Sequence, residues 1–190
     1  IEKGDKKGIK VVLNPLITCG KCYYCKNDRE HLCGKRVLLG MNRPIERQGC
    51  FAELVLTPDK NIYELPSGLD IKQAPIAEPT AVALHAIELG EESSKKSLEE
   101  SRIIVIGGGA IGLLCALILE KYKKCKEITL IETNRKRLKV CGDHLESKTL
   151  SSEDLKINDG SFDLILDTVG LEITRQNSIK WVDSGGVIIH

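Results

Sequence analysis

Through the first 75 residues or so, apolar positions come in short runs broken by Gly, Pro and Asn. KVVLNPL (10–16) and CFAELVLTP (50–58) predict short β segments, with GDKKG (4–8) and LPSGLD (65–70) as turns. The pattern then changes. From Ala77 to Leu89 apolar residues recur at helical spacing, and Pro79 falls near the helix start, where a missing N–H is tolerated. SRIIVIGGGAIGLLCALILEKY predicts a strand, a glycine turn and a helix. EITLIE reads as a further strand, NRKRLKV as the next helix, and FDLILDTVG and GGVIIH as two more strands. Strands alternating with helices predict a parallel α/β sheet. In segments 53–56 and 76–89 the apolar period alone does not separate strand from helix. No internal repeat is present.

Composition narrows the partners more than the fold. The 190 residues are 42% apolar and 29% charged, with a formal charge of +1. That balance supports one large domain, or one domain with part of another, and gives no bulk electrostatic reason for nucleic acid or an anionic membrane as partner. The longest apolar run, AIGLLCALIL, is too short to span a bilayer, and IEKGDKKGIKVVL lacks the order of a secretory leader. A cytoplasmic location is the expectation. Ile1 is not an initiator Met and His190 directly follows the apolar run VII, so a piece of a longer protein is expected.

Four of the eight cysteines, Cys19, Cys22, Cys25 and Cys33, fall in CGKCYYCKNDREHLC with C-x2-C-x2-C-x7-C spacing. Disulfides fit poorly in a chain of intracellular character. Two-residue separations gather thiolates around one ion, and four sulfurs suit tetrahedral Zn²⁺, with iron or an iron–sulfur cluster as the chemical rival. A Zn(Cys)4 centre leaves no position for substrate, so its role would be structural. Redox-active C-x-x-C pairs and unrelated buried cysteines are the alternatives. His31 reads as a polar loop residue, Cys115 as a small buried hydrophobe on an apolar helix, and Cys50, Cys125 and Cys141 as isolated thiols.

RIIVIGGGAIG places Gly107, Gly109 and Gly112 as G-x-G-x-x-G behind a β-branched strand, with Ala110 and Ile111 opening the next helix. The first glycine permits the turn, the second lets a pyrophosphate approach the backbone, and the third lets helix and sheet close. Free N–H groups at the helix start then face the phosphates. Glu132 ends the following strand, twenty residues after Gly112. Its carboxylate can accept the ribose hydroxyls and opposes the extra phosphate of NADP, which points to NAD. Arg135 and Arg137 stand just beyond and can serve NADP instead, or Arg137 can stack beside adenine. A flavin, another nucleotide or an empty crevice are the remaining readings.

Taken in order, these motifs resemble the zinc-containing medium-chain alcohol and polyol dehydrogenases. The resemblance runs from GDKKGIKVVLNPLITCGKCYYCKNDREHLC through GCFAEL and LPSGLDIKQAPIAEPTAVALHA to VIGGGAIG, LIETNRKR, FDLILDTVG and GGVIIH. It implies an α/β protein in which residues 1–75 are part of a GroES-like β-rich catalytic domain. Residues 76–190 would then be a linking helix and a doubly wound Rossmann domain, truncated after strand 5. It implies a structural zinc on Cys19, Cys22, Cys25 and Cys33, with Glu132 and Arg137 as the adenosine-ribose acid and its basic neighbour.

Glu78, in IAEPTAVALHA, matches the position that supplies a glutamate in the sorbitol- and threonine-type members. There it would be a catalytic group and ligand at or near a catalytic zinc. From the residues alone, Glu78 can equally favour the helix start through the dipole, and His85 reads as a core or interface histidine. The family's first catalytic cysteine and Gly-His-Glu motif are expected before Ile1. The implied activity is NAD-linked oxidation of a secondary alcohol on a polyol, sugar alcohol or amino alcohol, in a homodimer or homotetramer. This chain alone would not assemble the complete active site. The rival classes are a non-catalytic dinucleotide-binding or interaction module and a zinc-independent reductase of the same fold.

Overall fold

Short apolar runs early in the chain become short strands, and the long ones later become a continuous sheet. The computed structural model describes residues 1, 7–41, 46–152 and 156–190, so the first residues of the expected GDKKG turn lie outside the described residues. The chain divides into two units, Ile1–Ala77 and Glu78–His190.

In the first unit, β1 (Val11–Leu13) is followed by β2 (Leu16–Ile17), a single helical turn α1 (Tyr23–Lys26), β3 (Val37–Leu38) and β4 (Ile62–Glu64). β1 pairs antiparallel with β4, Leu13 opposite Ile62, and β2 pairs with β3, Leu16 opposite Leu38. Two-stranded ribbons are marginal in water on their own. A buried asparagine ties them together: Asn61 Nδ2 donates to the carbonyls of Asn14 at 2.9 Å and Leu16 at 2.8 Å. The strand expected over 50–58 does not form. That stretch is irregular, and Phe51, Leu54 and Leu56 are exposed. It is rich in strand-forming residues, but no strand among the described residues pairs with it, and a lone extended segment cannot satisfy its backbone within the protein.

The second unit begins with α2 (Ala77–Ser93), which resolves residues 77–89 as helix. Pro79 occupies its first turn, where the N–H has no intrahelical acceptor anyway. Then come β5 (Arg102–Ile106), α3 (Ala110–Leu117), β6 (Glu127–Glu132), α4 (Arg135–His144), β7 (Lys148–Ser151), β8 (Phe162–Asp167), α5 (Glu172–Trp181) and β9 (Val182–Ile189). α3 runs on into a π-helical turn at Ile118–Tyr122. All five strands are parallel, in the order β7-β6-β5-β8-β9.

Burial on both faces of the sheet explains the unbroken apolar runs. In β5, Ile103 and Val105 join a core with Leu130, Leu164, Ala83, Ile87 and Leu119, while Ile104 and Ile106 join Ile131 and Ile165 on the other side. Each fully buried Ile contributes about 2–3 kcal/mol of transfer free energy, so the sheet centre is the most stabilised part of this unit. β7 is the polar edge strand, and its sequence KTLS carries no apolar period that would mark it.

Numbered by sequence, the strand order is 3-2-1-4-5. The direction of winding reverses between β5 and β8, and that reversal opens a crevice at their C-terminal ends.

Candidate functional site

The residues gathered at that crevice come from loops that leave the sheet where β5, β6 and β8 end. Gly107, the first residue after β5, takes φ +99°, a left-handed conformation natural to glycine, and a Cβ there would lie 2.6 Å from Val169 Cγ2. A Cβ on Gly112 would stand 1.8 Å from the Gly107 carbonyl oxygen, so α3 closes on the turn only because position 112 has none. Gly109 is different: a Cβ there would meet nothing within 4 Å. It faces open space at the N-cap of α3, in extended backbone. Ala110 and Ile111 form the first turn of α3, whose N–H groups have no helical acceptor. The geometry is a backbone cradle for an anion at the mouth of the crevice.

Glu132 ends β6 on the other side of the turn, 5% exposed. Its Oε2 accepts from Gly108 N–H at 2.9 Å and Arg137 Nε at 2.9 Å. Its Oε1 accepts from Asn134 N–H at 2.7 Å, Arg137 Nη2 at 3.1 Å and Thr133 Oγ1 at 3.2 Å. Burial alone would raise this carboxyl, but the donors of Arg137, Asn134 and Gly108 outweigh it and bring Glu132 down to about 2. Arg137 is held in reach because Asn134 caps α4, its Oδ1 accepting from the N–H groups of Lys136 and Arg137. Of the donors on Glu132, the Arg137 guanidinium and the Thr133 hydroxyl belong to side chains of exposed residues, and the guanidinium makes two of the bonds.

Pattern reading passed over three groups here. Thr168 Oγ1 donates to the Ile106 carbonyl at 2.9 Å and packs where a Cβ on Gly107 or Gly112 would fall. Buried Asp167, at the end of β8, accepts from Val169 N–H, Gly170 N–H and Thr174 Oγ1 at 3.0, 3.0 and 2.8 Å. Its burial is outweighed by the Gly170 N–H and Thr174 bonds, which keep the carboxyl below the usual carboxylate range. Cys141, read as an isolated thiol, is fully buried under the glycine turn. A polar residue closing an apolar strand was the available signal for Asp167; nothing local marks Cys141.

In the first unit, Cys19, Cys22, Cys25 and Cys33 converge. The sulfurs lie 3.5 Å (Cys22–Cys25), 3.7 Å (Cys33–Cys19) and 3.9 Å (Cys19–Cys25) apart, and all four fall within 4.8 Å of one another. Sulfurs about 2.3 Å from a central zinc at tetrahedral angles are about 3.8 Å apart. The quartet has that shape, and it suits a structural zinc. The loop achieves it with α1 and a 3-10 turn at Glu30–Leu32, and Asp28 between them adopts φ +55°. Backbone N–H groups of Lys21 and Cys22 hold the Cys19 thiol down to about 6, whereas burial pushes Cys25 up to about 11. Thr18 and Lys60 brace the lobe, Lys60 Nζ donating to Thr18 Oγ1 at 3.1 Å.

Glu78 is exposed in the first turn of α2. Among the described residues, the cysteine quartet is the only group of three or more His, Cys, Asp or Glu ligands close enough to share an ion. His85 is exposed on α2 and not in the core. No helix among the described residues is long and apolar enough to cross a membrane.

Comparison with known proteins decides between the families that could carry these two features. Residues 2–67 match the alcohol dehydrogenase GroES-like domain. L-Threonine 3-dehydrogenase of Bacillus licheniformis is 31% identical over 189 residues, covering 95% of this chain and 51% of that protein. The chain belongs to the zinc-type medium-chain alcohol and polyol dehydrogenase family. The curated relatives it matches include several L-threonine 3-dehydrogenases, and it spans about half their length.

Solved structures of dehydrogenases agree on the fold. L-Idonate 5-dehydrogenase from Escherichia coli superposes with a TM-score of 0.85 at 23% identity, over 96% of this chain and 53% of that one. A zinc-binding dehydrogenase from Sinorhizobium meliloti, bound to NADP, superposes at 0.81 with 26% identity, over 96% and 53%. The first unit therefore carries a GroES-like domain and the second a doubly wound dinucleotide fold.

Proposed function

We propose that the whole protein transfers a hydride between NAD and a secondary alcohol of a polyol, sugar alcohol or amino alcohol. The observation that carries this reading is the pairing of an open anion cradle at Gly109 with a buried, anionic Glu132 across the same crevice. In it, Gly107, Gly109, Ala110, Ile111 and Gly112 hold the pyrophosphate. Glu132 takes the adenosine ribose once Arg137 yields its two bonds. A bound nicotinamide supplies the hydride acceptor; the residues of this chain bind and orient it. The negative charge of Glu132 would repel a 2′-phosphate, which favours NAD over NADP.

Residues 1–75 serve as the part of the catalytic domain that carries the zinc lobe, and residues 76–190 as the cofactor domain. The cysteine quartet holds a structural zinc and takes no part in turnover. Glu78 is assigned to the edge of a catalytic metal site, as a ligand or through water, the remaining ligands belonging to the whole protein. A small-molecule alcohol as substrate is supported by the L-threonine 3-dehydrogenases among the relatives that match, and a homodimer or homotetramer completes the reading.

Full-length, zinc-loaded protein given NAD⁺ and a panel of polyols, sugar alcohols and L-threonine tests it. NADH formation with at least one of them, and a lower KM for NAD⁺ than for NADP⁺, is the expected result. Dinucleotide binding without turnover on any alcohol would instead assign the crevice to a non-catalytic module.

A further inference from the structure

The middle position of the glycine fingerprint is open to many residues in principle, yet here it too is glycine. Gly108 does not owe this to its backbone, because it is absent from the residues with positive φ. It owes it to space. A Cβ on Gly108 would lie 2.8 Å from Cys141 Sγ, and 3.2 and 3.3 Å from Cβ and Cγ of Glu132. The first of these is closer than any real Cβ contact, and Cys141 is fully buried in α4, so the sulfur has nowhere to retreat.

The same sulfur makes a directed contact, its thiol donating to the Gly108 carbonyl at 3.6 Å. On the other side of the same residue, Gly108 N–H donates to Glu132 Oε2 at 2.9 Å. Gly108 is thus clamped between a thiol below and a carboxylate ahead, and both are attached to elements other than its own.

We infer that Cys141 is a positioning residue for the dinucleotide: its sulfur seats Gly108 so that the turn stays open at Gly109 and Glu132 keeps its orientation. Cys141 touches no ligand itself and acts through Gly108. Gly108 and Cys141 form a matched pair in which a thiol fills the volume that a side chain at 108 would need. The inference rests on the dinucleotide reading of the crevice and adds to it a residue that the fingerprint does not contain.

Volume complementation in full-length, zinc-loaded protein tests the pairing, with NADH fluorescence titration as the readout. Gly108→Ala should weaken NADH binding by about tenfold or more, the equivalent of one strong steric clash. Cys141→Ala should weaken it by only about threefold, through the lost carbonyl contact. In the double variant the alanine methyl enters the space the sulfur leaves, so affinity should return to the level of Cys141→Ala.

Cys141→Met supplies the converse, pressing on Gly108 without altering the turn, and should weaken NADH about as much as Gly108→Ala. It also decides the matter if Gly108→Ala does not fold. A structural role alone would lower the melting temperature in step with affinity. A positioning role raises Kd and the KM for NAD⁺ in the correctly folded, zinc-containing variants while kcat changes little.

A double variant as weak as Gly108→Ala, or a Cys141→Met protein that binds like wild type, overturns the inference and leaves the dinucleotide reading intact. Wild-type protein that binds neither NADH nor NADPH removes both.

Discussion

Arg137 grips Glu132 with two nitrogens, Nε on Oε2 at 2.9 Å and Nη2 on Oε1 at 3.1 Å. The two residues are five positions apart, one closing β6 and the other in the first turn of α4. The carboxylate side chain is 3% exposed and the guanidinium side chain 56% exposed, so the contact is a buried carboxylate capped from outside by an exposed guanidinium.

That arrangement makes stability depend on acid in a defined direction. Glu132 titrates from about 2 in the folded state against an ordinary value of 4.5. A lowered carboxyl pKa stabilises the fold above the ordinary value, and the contribution is lost as pH falls from about 4.5 towards 2. By linkage the whole contribution is of order 3 kcal/mol, and the part already lost at pH 3 is about 2 kcal/mol. Urea unfolding at pH 7 and pH 3 should show wild type losing that much more than Glu132→Gln. Equal losses would show that the carboxylate is not stabilised by its donors.

The cysteine quartet predicts a metal-dependent fold for its lobe. Replacing any one of Cys19, Cys22, Cys25 or Cys33 with Ser should abolish stoichiometric zinc at that lobe and lower the melting temperature, as read by elemental analysis and calorimetry. With burial holding Cys25 near 11 in the metal-free lobe, zinc uptake at pH 7 must release at least its proton, so zinc affinity should fall as pH falls. Thiol mapping gives an independent check. In zinc-loaded protein Cys50, the exposed cysteine outside the quartet, should alkylate fastest, with the quartet joining it only after chelation. Buried Cys115, Cys125 and Cys141 should stay protected until unfolding, as burial raises each thiol.

At the opposite end of the sheet, buried Asp163 fastens β8 to β5. Its Oδ2 accepts from the Arg102 N–H and Nε at 2.9 and 3.0 Å, and its Oδ1 from Lys96 Nζ at 2.8 Å. Arg102 holds its carboxyl well below the usual carboxylate range, against the opposing effect of burial. Asp163→Asn should cost about 2–3 kcal/mol of unfolding free energy in urea at pH 7, since it removes the buried carboxylate that Arg102 and Lys96 share and leaves Arg102 only the more exposed Asp183, 2.6 Å away, as counter-charge. Lys96→Met, at a half-exposed position, should cost under about 1 kcal/mol. The Asp163 contribution is present above the ordinary carboxylate pKa and disappears as pH falls below it, so the two proteins should converge in acid.

Much of this protein is legible in its sequence because the informative features are local. Cysteines two residues apart must end close together whatever surrounds them, and the quartet closes as its spacing predicts. A β-branched run, three glycines and an apolar helix turn the chain back on itself within one βα unit, so the crevice can be read before the sheet is known. The continuous apolar strands announce burial on both faces, and both faces are buried.

Other properties depend on partners distant in the chain. The apolar run in 50–58 is made of strand-forming residues, yet strand formation requires a neighbour to pair with, and none of the described strands provides one. β7 pairs with β6 despite its polar sequence, because backbone groups make the ladder and an edge strand needs few apolar residues. The acid at Glu132 is visible in the chain. Its sealing by Gly108, Asn134 and Arg137 is not, because that depends on where α4 docks.

Cys141 shows the limit most plainly. As a letter in a polar helix it is an unremarkable thiol, 33 positions from Gly108. Only packing brings its sulfur against Gly108, a residue of the glycine turn that has no room for a side chain. Sequence determines which local units form, since short-range sterics and hydrogen bonding decide them. Tertiary structure decides which atoms those units press together, since close packing is a property of the assembled core.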